Sequence, residues 1–560
     1  MEEATSYPPI EPSNFDLIVI GTGLPESIIA SAASAAGKTV LHLDPNSFYG
    51  SHSASLPLND LISFLQSQSK FPSESQSQSQ SQSQFSDDGV SIPLLIRPLY
   101  SALEINSYFS DLLECSRKFN LDLAGPRVFL CSDSMMDLIL KTGINQYMDF
   151  KSLDACFLSD AQGKLENVPD SRGAIFKNRT LSLPEKNQLM KFFKLVQRYS
   201  GNECEEDKIS GEDLESPFVD FLTKMGLSQK LKSIILYTIV MADYDQRNLE
   251  VCKDVINTKT GINRLILYHS SIGRFSNANG AIIYPIYGQG ELPQSFCRRA
   301  AVKGCIYVLR MHIAALLMDK DGCTYKGVKL GSGQELLSSH LILAPHFTIP
   351  STLASTDQVT SSHDVRLSNA KEKVARGICI GKISLNPEVA NCLVFFPPRS
   401  LYPEQIKTIR VLQLSGTMAV CPPGMFVTYL SAICDNAVEG KKLLNEAINA
   451  LFCKPTSGNS ENSRLGNLCE HTEGRPCLLW SALYIQELTS FEGASHSNIR
   501  YTPMPDEHLH YNNILDATKK LFQEIYPDVE FFTNDISVSD DLRDNVDTDQ
   551  DSQRKINDSA

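Results

Sequence analysis

The chain has 560 residues, 42% of them hydrophobic and 21% charged, and carries a net charge of −14. That length can bury more than one core, and the acidic balance offers no basic excess for neutralising nucleic-acid phosphates. Its 15 cysteines form no CxxC pair or zinc-spaced cluster, residues 1–16 show no leader pattern, and no apolar run approaches the roughly 18 residues of a membrane span, so a cytosolic, metal-free chain with reduced thiols is expected.

Residues 15–44 read as strand, tight turn, helix, strand. The run 15–20 is apolar apart from Asp16, as in a parallel strand covered on both faces. Gly21-Thr22-Gly23 allows a sharp turn, residues 27–36 are small and apolar, and residues 39–43 form a second strand closed by Asp44. This is a βαβ opening of the nucleotide-binding kind. Residues 66–84 alternate serine and glutamine and bury nothing, so a disordered insertion is expected over 66–88. Order resumes near Ile92. From Tyr100 to Tyr244 helical spacing dominates: Leu189, Phe192, Phe193, Val196 and Tyr199 share a face, as do Leu231, Ile234, Ile235 and Thr238. Residues 305–309, 326–330 and 338–345 read as strands, with turns at Asp321-Gly322 and Gly331-Ser332-Gly333. A helix is expected near 514–526, followed by an acidic tail. The predicted organisation is a flexible start (1–14), an α/β domain in two pieces (15–99 and 245–535), a mainly helical domain between them (100–244), and a disordered tail (536–560).

The glycine turn decides the chemistry. In a GxGxxG fingerprint, two glycines let the backbone approach a pyrophosphate and the third packs helix on strand. Here the turn runs Gly21-Thr22-Gly23-Leu24-Pro25-Glu26, so Glu26 replaces the third glycine. Its carboxylate suits the positive helix end itself and would repel phosphate there. Asp44 stands about 20 residues on, where the fingerprint has its ribose-binding acid. The scaffold resembles a flavoprotein's with its site closed by Glu26, so no cofactor is expected. Gly37-Lys38-Thr39 suggests a P-loop, but the residue five positions earlier is Ala32, and Gly37 ends a helix rather than opening one. No GxSxG, HExxH, HRD or DFG pattern occurs, so no catalytic residue is nominated.

Two segments carry a family resemblance. Residues 15–50, with Glu26 in the altered fingerprint and the ending Asp44, Asn46, Tyr49 and Gly50, resemble the first conserved region of the Rab GDP-dissociation inhibitor and Rab escort superfamily. Residues 284–294, YPIYGQGELPQ, are similar to that superfamily's most distinctive stretch. Weaker similarity runs through 146–150 and 520–527, with gaps at 66–84 and within 350–500. The resemblance implies an FAD/NAD(P)-binding-like α/β fold without catalysis. It implies a protein that binds GDP-bound Rab GTPases, presents them to the Rab geranylgeranyltransferase α/β heterodimer and delivers the prenylated Rab to membranes. Chain length, Gln289 and the LFQEIYPD segment favour the escort branch; the alternative is an inhibitor that recycles prenylated Rabs without supporting prenylation. The chain ends in NDSA, with no CaaX cysteine for its own prenylation.

By position, the resemblance implies a Rab-binding platform of Tyr49, Arg274, Tyr284, Tyr287, Gln289 and Glu291. It also implies a helical part that docks the transferase and shelters the geranylgeranyl group. Phe192, Phe193, Leu231, Ile235 and Tyr237 are the candidate lipid-lining residues, with ordinary core as the competing reading of each. Residues 261–271 do not align with the family's transferase contacts. The transfer chemistry, with its zinc, would belong to the transferase, and membrane association would be transient.

Overall fold

The structure, a computed structural model, describes residues 8–69, 84–86, 89–109, 111–169, 172–200, 209–278, 280–320, 322, 324–350, 368–455, 475–490 and 498–532. Two large sheets organise them. In the first, β1 (Asn14–Ile20) pairs in parallel with β2 (Val40–Asp44) and with the strand Glu335–Leu343. Ile306–Leu309 extends the parallel part beyond β2. On the other side the sheet turns antiparallel through Tyr325–Leu330, Ile313–Met318, Gly89–Pro93 and Gln84–Ser86. Ile499–Tyr501 returns late in the chain to pair with Leu341–Leu343.

The apolar run of β1 feeds two cores, because successive side chains point to opposite faces. Leu17 and Val19 pack with helix α1 (Leu24–Ala35) and the helices Glu291–Val302 and Asn512–Ile525. Ile18 and Ile20 pack with Leu316, Val328 and Phe347.

The second sheet has eight strands, in the order Leu165–Asn167, Ala155–Ser159, Cys392–Phe396, Ile409–Ser415, Phe426–Cys434, Ser368–Gly381, Leu478–Ser490, Tyr100–Ser107. Helix Ala437–Leu451 covers one face, and a helical layer packs on the other. Three strands of this sheet fall within 100–244, alongside the helices expected there. The helical layer comprises Arg172–Lys177, Leu183–Ser200, Gly211–Glu215, Phe218–Lys224, Gln229–Ser233, a π-helical stretch Ile234–Ile239, and Thr258–Ser271. The last of these lies past the expected boundary and packs on Leu183–Ser200, Gly211–Glu215 and Phe218–Lys224.

The expected bounds of the start and of the insertion shift as well. Ile10 is buried, and its N–H and C=O bond the Gln334 side chain at 3.0 and 2.8 Å, which anchors part of the stretch 1–14. The helix Leu58–Ser69 and the strand Gln84–Ser86 enter the expected insertion from both sides. The rest of that insertion, 70–83 and 87–88, and the tail 536–560 lie outside the described residues.

Residues 502–510 join the two sheets. Arg127 donates to His510 O at 3.1 Å and Asp506 O at 2.9 Å. Arg376, from the second sheet, donates to Gln486 Oε1 at 2.5 Å, Gly125 O at 3.0 Å and Asp506 O at 2.8 Å. Arg410 reaches Glu507 O and Met241 O, both at 2.9 Å. All three guanidinium groups are buried, so each needs these acceptors.

Candidate functional site

At the end of β1, Gly21 has φ +104°, and a Cβ there would lie 2.5 Å from the Ala344 Cβ, so glycine is required. The turn that follows closes on its own acid. Thr22 donates to Asp44 Oδ2 through its N–H at 2.8 Å and its hydroxyl at 2.7 Å, and Asn46 N donates to Oδ1 at 2.8 Å. Glu26 is buried in the first turn of α1, where its Oε1 accepts from Thr502 Oγ1 at 2.5 Å. A Cβ on Gly23 would lie 2.5 Å from Glu26 Oε2, so the carboxyl lies directly against the turn. Burial pushes this carboxyl up to about 7, with the charge of Asp44 adding to the rise. These residues do not fit a dinucleotide. The ribose-binding acid is saturated by the chain's own donors, and a buried carboxyl fills the helix end where phosphate would sit.

The second motif forms the strand Ile282–Pro285, a turn, and the helix Glu291–Val302. Glu291, Gln294, Ser295, Arg298 and Ala301 line a cavity of about 350 Å³ together with Tyr49, Tyr147 and Tyr307. The Arg298 guanidinium lies 4.4 Å from the Tyr147 ring centroid, and Tyr49 meets Tyr307 edge-on at 6.2 Å. Burial shifts the Glu291 carboxyl upward. Tyrosines with an arginine make rigid anchors for a protein partner.

Of the expected platform, Tyr49 and Glu291 meet at this cavity. Tyr287 is 54% exposed at the tip of the turn, with φ +74°. Tyr284 and Gln289 are buried and do not present a contact surface. The Tyr284 hydroxyl donates to Asp122 Oδ2, while Gln289 N donates to Asp122 Oδ1 at 2.9 Å and its Nε2 to Arg127 O at 3.3 Å. They lie inside because their polar groups find partners there, which sequence cannot reveal. Arg274 does not line the cavity; it donates to Cys131 O and to Asp137 Oδ1, both at 2.7 Å.

Among the lipid-lining candidates, Phe192, Leu231, Ile235 and Tyr237 are fully buried and Phe193 partly so, all within one core. Tyr237 OH donates to Asp245 Oδ1 at 3.4 Å. Helical spacing marks a buried face, and it is the same for core and groove. Gln294 closes the 284–294 stretch that sequence had marked, whereas Tyr147 and Arg298 were missed. A signal for Arg298 was present, since positions 291, 294, 295 and 298 repeat at i, i+3, i+4 and i+7 on one helix face. Sequence reasoning also missed Asp122, which has no sequence signal.

The GDP dissociation inhibitor family model matches residues 11–85 and 77–454, and the chain belongs to that family. Within it, the chain is 52% identical over 553 residues to Rab escort protein 1 of Arabidopsis thaliana, covering 96% of this chain and 97% of that one. It is 26% identical over 527 residues to the Rab proteins geranylgeranyltransferase component A of Drosophila melanogaster, covering 93% and 90% of the two chains. Among solved structures, the Rab GDI of Plasmodium falciparum superposes with a TM-score of 0.64 at 19% identity, over 93% of this chain and all of that one. The expected α/β fold is therefore that of a solved member of the family.

Proposed function

We propose that this chain is a Rab escort protein, an accessory component without catalysis of its own. It binds a GDP-bound Rab GTPase in the cytosol and presents it to the α/β geranylgeranyltransferase. Afterwards it keeps the prenylated Rab soluble and hands it to a membrane. The carrying observation is the 52% identity to an escort protein over 96% of the chain, which favours this reading over the inhibitor one. The filled dinucleotide corner supports it by leaving the scaffold to binding rather than redox work. Among the described residues no helix is long and apolar enough to cross a membrane.

In this reading the Rab docks on Tyr49, Tyr147, Glu291 and Arg298, beside the exposed Tyr287. The lipid is sheltered in the helical layer, where the side chains around Phe192 and Leu231 part to admit it. Each methylene so buried contributes about 0.8 kcal/mol. The test is a reconstitution of unprenylated Rab, geranylgeranyl diphosphate and the transferase, with and without the chain. Lipid transfer that depends on the chain supports the escort reading. Rab binding without added transfer would move the assignment to the inhibitor.

A further inference from the structure

We propose that Asp122 is a positioning residue for partner recognition: its buried carboxylate fixes the 284–290 turn, and through it Tyr287 and the first turn of the cavity-lining helix. The proposal rests on the Rab-binding reading above. Asp122 lies in the two-residue strand Leu121–Asp122, paired with Ser55–Leu56. Its own N–H donates to Tyr429 OH at 3.0 Å, which ties it to the second sheet.

The carboxylate then grips the turn at both ends. Oδ2 receives the Tyr284 hydroxyl at the start, and Oδ1 receives Gln289 N at 2.9 Å near the finish. Ser55 Oγ donates to Oδ1 at 2.6 Å and accepts Gly290 N at 2.8 Å, extending the grip to the residue before the helix. The packing leaves no slack. A Cβ on Gly288 would lie 2.5 Å from Ser55 Oγ and 2.9 Å from Asp122 Oδ1, and one on Gly290 would lie 2.7 Å from Ser55 N.

Between these grips the chain carries Tyr287 in a left-handed conformation that a non-glycine residue adopts only when its surroundings impose it. Its N–H donates to Met418 O at 2.9 Å, while its ring stays exposed. A strained, displayed aromatic next to a binding cavity requires something to hold it, and the Asp122 carboxylate contacts both flanks.

Two measurements on the full chain test this. Hydrogen exchange of free Asp122→Asn should show faster exchange at residues 286–292 with the second sheet unchanged. Unchanged exchange in that turn would overturn the proposal without reference to any Rab. Dissociation constants for a GDP-loaded Rab should then be measured for wild type, Asp122→Asn, Tyr287→Ala and the double variant. Each single change should weaken binding about tenfold, and the double variant should be no weaker than Tyr287→Ala alone. Effects that multiply would show that Asp122 does not act through Tyr287, and would sink the idea. If Asp122→Asn fails to fold, Ser55→Ala, which removes the relay to Gly290, is held to the same two criteria. A wild-type chain that binds no Rab would fail the escort reading, leaving the exchange result to decide on Asp122.

Discussion

Glu26 fills the start of its helix and ties the glycine turn to Thr502. Its carboxyl is pushed up to about 7 by burial, against an ordinary value of 4.5. A carboxyl raised on folding favours the folded state most fully below pH 4.5, and that contribution fades as pH rises through 7. The window is worth on the order of 3 kcal/mol. Glu26→Gln keeps an acceptor for Thr502 without the ionisable group. The difference in unfolding free energy between variant and wild type should therefore shift in the variant's favour from pH 5 to pH 7.5, as read by urea denaturation. A second prediction at this scale concerns Arg298, which reaches the cavity over Tyr147. Arg298→Ala should weaken Rab binding about tenfold or more in a titration, with the thermal midpoint held near that of wild type.

At the scale of elements, the helical layer and the recognition turn follow different logics. Leu231 is wholly buried beside Phe192 and Ile235 in the largest core. Leu231→Ala should cost about 2–5 kcal/mol of stability in a denaturant titration, because the cavity it leaves cannot fully collapse. The βαβ opening was readable because its strands are continuous apolar runs around an unusual glycine turn. The second sheet was not. Ile409–Ser415 and nearly all of Phe426–Cys434 are buried, yet Arg410, Gln413, Thr428 and Ser431 interrupt them, so they show neither a continuous apolar run nor the alternation of a strand with one wet face. Tyr100–Ser107 pairs with residues almost 400 positions away, a relation that no local pattern carries. At the binding site, sequence located the turn and the helix. It could not separate Tyr287, which is displayed, from Tyr284, which is bonded to a carboxylate inside.

At the scale of the whole molecule, three buried arginines make the two sheets one structure. Arg376 is 1% exposed and supplies the donors for Gln486 Oε1, Gly125 O and Asp506 O. Arg376→Met would strand Gln486 Oε1 and Gly125 O, while Arg127 still reaches Asp506 O, and should cost about 3 kcal/mol or more. The single tryptophan, Trp480, is buried in the second sheet. In thermal unfolding of the wild type its fluorescence should move together with far-ultraviolet circular dichroism. Separate transitions would show that the arginines do not couple the sheets.

The late return of Ile499–Tyr501 to the first sheet, with the carbonyls of 506–510 behind it, has a consequence for translation. β1 leaves the ribosome hundreds of residues ahead of the strand that completes its sheet beside Leu341–Leu343. A stop codon anywhere ahead of residue 506 removes every one of those carbonyls at once. Truncating alleles should therefore resemble one another in severity wherever they fall ahead of that residue, and a nascent chain halted there should still depend on chaperones.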